Sequence, residues 1–206
     1  SLYCVGTSNV HFAMKYDMLP LGTMAHEFIM FHGSVFGFKQ ANYLMMEAWV
    51  NTFDGALGIA LTDTYTSDVF FNNFSKKHAK LFDGVRQDSG DEYEFTNKTI
   101  SRYKEHGIDP MTKTIVFSNA LDFQKAVSIK NFCEGRINAS FGIGTNLTCD
   151  IEGVKPANIV MKLSKCRMNH NQTWENCLKV SDDKGKVMGD EDEKMIFNLT
   201  FKQHIK

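Results

Sequence analysis

The chain alternates between two kinds of segment, and that alternation limits its fold more than any other feature. Short apolar runs occupy 2–5, 19–23, 57–61, 82–85, 114–117, 137–141 and 158–162. Between them lie amphipathic or apolar stretches of helix length, chiefly 25–50, 64–81, 92–106 and 121–132. Asp109-Pro110 and the glycines at 107 and 135 fall where helices should stop. Strands alternating with helices predict an α/β protein with a parallel sheet and right-handed crossovers. Many consecutive units, with polar motifs at the strand ends, favour a barrel over an open sheet. In a barrel the C-terminal strand ends carry the site. The Phe- and Met-rich stretch 25–50 reads as core. Beyond Leu163 the pattern changes. Residues 164–178 are polar, 178–188 reads as strand, turn and strand, and the acidic run 189–194 reads as a solvated turn. The segment 164–206 is therefore expected to be β-rich.

At 206 residues, with 43% hydrophobic and 23% charged residues, the chain suits one core and one domain, 1–206. A net charge of -1 argues against a nucleic-acid partner. No apolar stretch approaches the roughly 20 residues a membrane span needs, and no signal peptide is visible. The five cysteines are odd in number and match neither a zinc site nor a disulfide framework, so reduced thiols and a cytoplasmic setting are expected. The abrupt apolar start at Ser1-Leu-Tyr-Cys4, without Met, reads as a trimmed domain.

Three polar motifs at strand ends carry the chemistry. Ser140-Phe-Gly-Ile-Gly-Thr145 places Gly142 and Gly144 where backbone N–H groups can approach an anion, with a helix start at Thr145 or Asn146 aimed at the same spot. A tight strand-to-helix turn explains the same residues. Arg86-Gln-Asp-Ser-Gly-Asp91 offers Asp88 and Asp91 to ribose hydroxyls or Mg²⁺, and Arg86 to a phosphate or carboxylate. Helix capping by Ser89 or Asp91 explains part of it. In Gly22-Thr-Met-Ala-His-Glu27, His26 follows a strand, and Asp63 follows another and could orient the imidazole. A histidine–carboxylate pair suits proton transfer or phosphoryl acceptance. Gly6-Thr-Ser-Asn9 presents Thr7, Ser8 and Asn9 to a small anion, or else its serine is the ordinary N-cap of a helix over 9–16. Ser118 and Asn119 repeat that arrangement.

These motifs, in this order, resemble the nicotinate phosphoribosyltransferase family. The resemblance also takes in Leu61-Thr-Asp-Thr-Tyr65, Phe117-Ser-Asn-Ala-Leu-Asp122 and Lys179-Val-Ser-Asp182 with Gly185-Lys186. It implies an irregular, here incomplete, α/β barrel of a type II phosphoribosyltransferase, with an N-terminal α/β domain missing from this chain. It implies nicotinate, phosphoribosyl pyrophosphate and ATP as substrates, Mg²⁺ with the ATP, and a homodimer with a shared active site. No tightly bound organic cofactor is expected. His26 is then the phosphorylated histidine and Asp63 its partner. Asp88 contacts the ribose, Arg86 lies beside nicotinate, and Gly142 and Gly144 cradle the 5′-phosphate. Thr7, Ser8 and Asn9 discriminate the pyridine substituent. Two departures stand out: Gln87 and Asn119 occupy positions where His and Asp are common in the family. A nicotinamide-using relative would place a carboxylate near 7–9, and this chain has none there. A catalytically incomplete structural or nucleotide-binding subunit is the other reading.

Overall fold

The computed structural model describes residues 4–157 and 159–203. Four strands, β1 (Ile59–Leu61), β2 (Gly84–Gln87), β3 (Thr114–Phe117) and β4 (Asn138–Phe141), form one sheet in sequence order. All three pairings are parallel, in registers Ile59↔Gly84, Gly84↔Thr114 and Thr114↔Asn138. Their C-terminal ends therefore lie side by side. The helices of this part are α1 (Val10–Tyr16), α2 (His26–Phe36), α3 (Phe38–Phe53), α4 (Ser67–Asn73), α5 (Lys76–Leu81), α6 (Glu92–Glu105), α7 (Phe123–Cys133) and α8 (Thr145–Thr148). Short polar side chains start most of them. Asn9, Thr66, Ser75, Asp91 and Asp122 each accept from a backbone N–H of the following first turn.

The α/β class with a parallel sheet stands as expected, and several boundaries differ. The stretch 25–50 is two helices, because Gly37 takes a left-handed φ of 87° that turns the chain between α2 and α3. The stretch 64–81 likewise divides, at Phe74-Ser75, into α4 and α5. The run 19–23 is not a strand; only Pro20 bridges to Thr7. Residues 4–5 and 159–162 are not strands either, while residues 2–3 and Asn158 lie outside the described residues. Among the described residues of the last segment, the only ladder is a ribbon of β5 (Lys165–Cys166) and β6 (Glu175–Asn176), and 178–188 is reduced to one antiparallel bridge, Lys179↔Met188. The acidic run expected as a solvated turn opens α9 (Glu191–Phe201) instead. Asp190 caps it, and three carboxylates in its first turn face the positive helix end.

An aromatic-rich core runs through the sheet and helices and includes Phe70, Phe82, Phe95, Tyr103 and Phe117, all nearly inaccessible to solvent, and Met30, Cys166 and Cys177 form a second, smaller cluster. Phe197 of α9 packs edge-on to Phe38 of α3, with ring centroids 5.6 Å apart, and lies 5.9 Å from Tyr65. Late chain and early chain thus share one apolar interior. Among the described residues no helix is long and apolar enough to cross a membrane.

One close approach helps to place the first helix of the site. A methyl group on Gly33 would collide with the Tyr65 hydroxyl, so α2 lies against the residue after Thr64 only because position 33 has no side chain. Gly33→Ala gains roughly 1 kcal/mol of helix propensity but forces α2 off a fully buried tyrosine. The expected net effect is destabilisation by about 1–3 kcal/mol in urea unfolding. Gly22→Ala, where nothing lies within 4 Å, should stay within about 0.5 kcal/mol of the wild type. Equal stability of the two variants would contradict this packing.

Candidate active site

The parallel sheet delivers its polar residues to one edge. Asp63 and Thr64 follow β1, Arg86 and Gln87 end β2 with Asp88 next, and Ser118 follows β3. From the other side, α2 brings in His26 as its first residue, with no side-chain cap before it.

His26 is buried and held at both ring nitrogens. Nδ1 is 2.9 Å from the Thr64 hydroxyl, and Nε2 is 3.0 Å from Asp88 Oδ2. Asp63 Oδ1 lies farther from Nε2, at 3.9 Å, and has no hydrogen-bond partner, although Asp63 is 1% exposed. The expected His26–Asp63 pairing is thus an electrostatic contact, and the direct acceptor of the ring proton is Asp88.

Asp88 is the hub. Its Oδ1 accepts from Arg86 at 2.7 Å and from the Ser118 hydroxyl at 2.6 Å, while Oδ2 faces His26. Burial alone would raise its pKa, but His26, the Arg86 guanidinium and Ser118 outweigh that and hold the carboxyl well below the usual carboxylate range. An ionised carboxylate only accepts. The proton shared with His26 therefore sits on Nε2, and in the neutral ring the lone pair is on Nδ1 under the Thr64 hydroxyl.

Arg86 is fixed at each of its three nitrogens. It donates to Ser118 Oγ at 2.8 Å, to Thr23 Oγ1 at 2.6 Å and to Asp88 at 2.7 Å. Thr23, three residues before His26, thereby ties the entry to α2 to the sheet.

A loop from the late chain braces this cluster. Val180 N donates to Thr64 O at 2.8 Å, and Asp182 N donates to Ser89 Oγ at 2.9 Å. Ser89 in turn donates to Asp63 Oδ2 at 2.5 Å. Asp182 accepts from both the backbone N–H and the hydroxyl of Ser67, and Asp183 accepts from Gly90 N at 2.9 Å. Burial, together with the nearby negative charge of Asp63, pushes Asp182 up to about 6 despite the Ser67 contacts. Lys179 is 9% exposed, and burial lowers its pKa against the attraction of Asp63 and Asp88.

The structure thus brings His26, Asp63, Arg86, Asp88 and Ser118 together. The other candidates stand apart. Asp91 caps α6, as its capping alternative holds, while α1 is capped by Asn9 and not by Ser8, one residue later than expected. Thr7 pairs through its backbone with Leu19 and Leu21, and Ser8 is exposed. Asn119 braces the Gly90 carbonyl at 3.3 Å. Gly142 uses its N–H on Phe117 O at 2.8 Å, so that amide is not aimed at an anion. Gly144 starts α8, a helix of four residues that includes Thr145. Gln87, buried, donates from Nε2 to Ser89 O and Gly90 O and stiffens the turn that carries Asp88. Sequence reasoning missed Thr23, Thr64, Ser89, Lys179 and Asp182 as site residues. All five lie inside the quoted motifs, and no spacing rule separates them from their neighbours.

Asp182 generates a pH prediction. Its folded pKa is raised, so between about pH 4 and 6 the native state binds more protons than the unfolded state. Stability is then greatest at the acid side of that window and falls as pH rises through it. Relative to Asp182→Asn, the wild type should lose on the order of 2 kcal/mol across that window. Parallel stability–pH curves for the two proteins would show that Asp182 does not titrate this way.

The chain matches the Nicotinate phosphoribosyltransferase (NAPRTase) family over residues 2–204. It is 55% identical over 189 residues to a nicotinate phosphoribosyltransferase of Desulforapulum autotrophicum, covering 92% of this chain and 48% of that protein. It is 45% identical over 196 residues to one from Methanosarcina mazei, covering 94% of this chain and 47% of that protein. The crystal structure of nicotinate phosphoribosyltransferase from Porphyromonas gingivalis superposes with a TM-score of 0.94 at 52% identity, over 97% of this chain and 51% of that one. The chain therefore spans about half the length of the curated relatives it matches. With a match along nearly its whole length and a shared fold, the chain belongs to the nicotinate phosphoribosyltransferase family.

Proposed function

We infer that this chain carries the phosphoryl-accepting half of a nicotinate phosphoribosyltransferase. The reaction is nicotinate, phosphoribosyl pyrophosphate, ATP and water giving nicotinate mononucleotide, pyrophosphate, ADP and phosphate, a step of NAD salvage. The observation that carries the reading is His26, pinned between Thr64 and an ionised Asp88 at the C-terminal edge of the parallel sheet. Family names from relatives twice this length support it.

Each residue has its own share of the work. The Nδ1 lone pair of neutral His26 attacks the γ-phosphorus as the Thr64 hydroxyl turns aside. The bond to the bridging oxygen breaks, and ADP leaves with that electron pair. Asp88, with Asp63 at 3.9 Å, offsets the positive charge that grows on the ring. Water then takes the phosphoryl group from the ring. Asp88 also reaches the ribose hydroxyls, and Arg86 lies beside the nicotinate carboxylate. Arg86 pairs with a carboxylate and has nothing to accept from an amide NH₂, and Thr7, Ser8 and Asn9 add no negative charge. Gly144 and Thr145 remain the 5′-phosphate candidates, Gly142 contributing shape. Mg²⁺ would be held by the carboxylates of Asp63 and Asp88, whose oxygens lie with His26 within 4.8 Å of one another, and Asp63 Oδ1 is unpartnered. When bound there it neutralises phosphoryl charge. A cytoplasmic homodimer with a shared site belongs to the same reading.

With γ-labelled ATP, acid-labile label should appear on the wild-type protein and be absent from His26→Ala. ATP hydrolysis should fall by at least 100-fold, with some uncoupled mononucleotide synthesis surviving. Equal labelling of both proteins would place the phosphoryl acceptor elsewhere.

A further inference from the structure

Two of the five cysteines are brought together by the late ribbon. Its register, Lys165↔Asn176 and Cys166↔Glu175, sets Cys166 and Cys177 on one face, at diagonal positions across the ribbon. Cys177 N donates to Ser164 O at 2.9 Å and extends the pairing by one step. Both cysteines are free, and they are 7% and 2% exposed. With Met30 of α2 they form a sulfur cluster apart from the main core, and the two thiols touch each other. Ser34, also on α2, places its Oγ 3.2 Å from Cys177 Sγ and donates to Asn176 O at 2.7 Å.

Two further features set this pair apart from buried structural thiols. A cavity of about 340 Å³ opens beside it, lined by Ser34, Val35, Arg167 and Glu175 among others, so a small molecule can approach the cluster from the ribbon side. The ribbon is also short, with two residues in each strand, and few ladder bonds resist its adjustment. Diagonal neighbours in an antiparallel ladder lie about 7–8 Å apart, and a disulfide needs Cα atoms within about 6.8 Å. A bridge between the two cysteines therefore draws the ribbon in. That movement has a short path to the site. Val180, three residues after Cys177, donates to Thr64 O at 2.8 Å, and the Thr64 hydroxyl touches His26.

We propose that Cys166 and Cys177 are a redox-modification site, closed to an intramolecular disulfide by exchange with a small-molecule disulfide, and that closure loosens the late-chain loop from the sheet edge. Burial pushes the Cys177 thiol up to about 11, so exchange begins at Cys166, the more exposed of the two. The Cys166 thiolate attacks one sulfur of the reagent, the reagent's S–S bond breaks, and one thiolate leaves and takes up the proton Cys166 gave away. The Cys177 thiolate then attacks the Cys166 sulfur of the mixed disulfide, and the second thiolate leaves with the Cys177 proton. The cysteines lose two electrons and two protons, and the reagent is reduced to two thiols. This chemistry is independent of the phosphoryl chemistry inferred for His26.

The test equilibrates the folded protein with glutathione disulfide, caps the remaining thiols with N-ethylmaleimide and maps linked peptides by mass spectrometry. A Cys166–Cys177 link should be the main product and should be reversed by dithiothreitol. Amide hydrogen exchange at Val180 should be about tenfold faster in the oxidised protein than in the reduced one. Cys149→Ser, which removes a half-buried thiol outside the cluster, should form the link like the wild type. Cys166→Ser should show the same Val180 exchange with and without the oxidant. Should that variant fail to fold, the wild type alone supplies both the link and the exchange rates. A glutathione adduct with no link, a link that forms only in urea, or equal Val180 exchange in the two redox states would each overturn the proposal. Labelling of His26 by ATP is measured on the reduced protein, so failure of that reading and failure of this one are seen separately.

Discussion

A carboxylate kept ionised inside the protein is the constraint on which the site depends. Asp88 is mostly buried, and burial by itself would protonate it. Arg86, Ser118 and His26 reverse that, and each is delivered by a different element. If Asp88 took up a proton it would become a donor as well as an acceptor. The proton on His26 would no longer have a fixed place, and Arg86 would lose the partner that orients it. The ionised state of one group therefore sets the tautomer of the histidine and the pose of the arginine together.

Parallel pairing makes this convergence possible. Because β1, β2 and β3 run the same way in near-level register, residues just past each strand meet without long side chains. The histidine is added by packing. α2 approaches the chain after β1 closely because Gly33 leaves room for Tyr65, and Thr23 ties the start of that helix to Arg86. The late chain finishes the arrangement through Val180, Asp182 and Asp183, which bond to Thr64, to Ser89 and Ser67, and to Gly90. Phe197 of α9 holds that late segment on the shared core.

Much of this was legible from residues alone, and the limits have physical causes. The runs at 114–117 and at 82–85 have the β-branched and aromatic pattern of buried strands, and β3 and β2 lie there. The run at 19–23 is apolar but carries Pro20 and Gly22, and its segment forms only one isolated bridge, to Thr7 through Leu19 and Leu21, so no strand forms there. The acidic run after Gly189 looked solvated because its charges suit a turn as well as a helix N-terminus; only Asp190 as a cap separates the two. At the site, His26, Asp63, Arg86, Asp88 and Ser118 were readable as strand-end polar residues. That Asp88, and not Asp63, takes the histidine proton depends on a difference of under 1 Å between two contacts, 3.0 and 3.9 Å, which no spacing encodes. The part played by Lys179 and Asp182 was hidden because they reach the site from more than ninety residues downstream of Asp88.

The central claim is that the ring proton of His26 resides on Nε2 and points at Asp88. Nitrogen-15 NMR of the imidazole in protein labelled at histidine measures this directly. The account predicts a bound proton on Nε2 of His26 throughout the folded pH range, lost from that nitrogen in Asp88→Asn. A neutral ring in the wild type with its proton on Nδ1 and a bare Nε2 would contradict it.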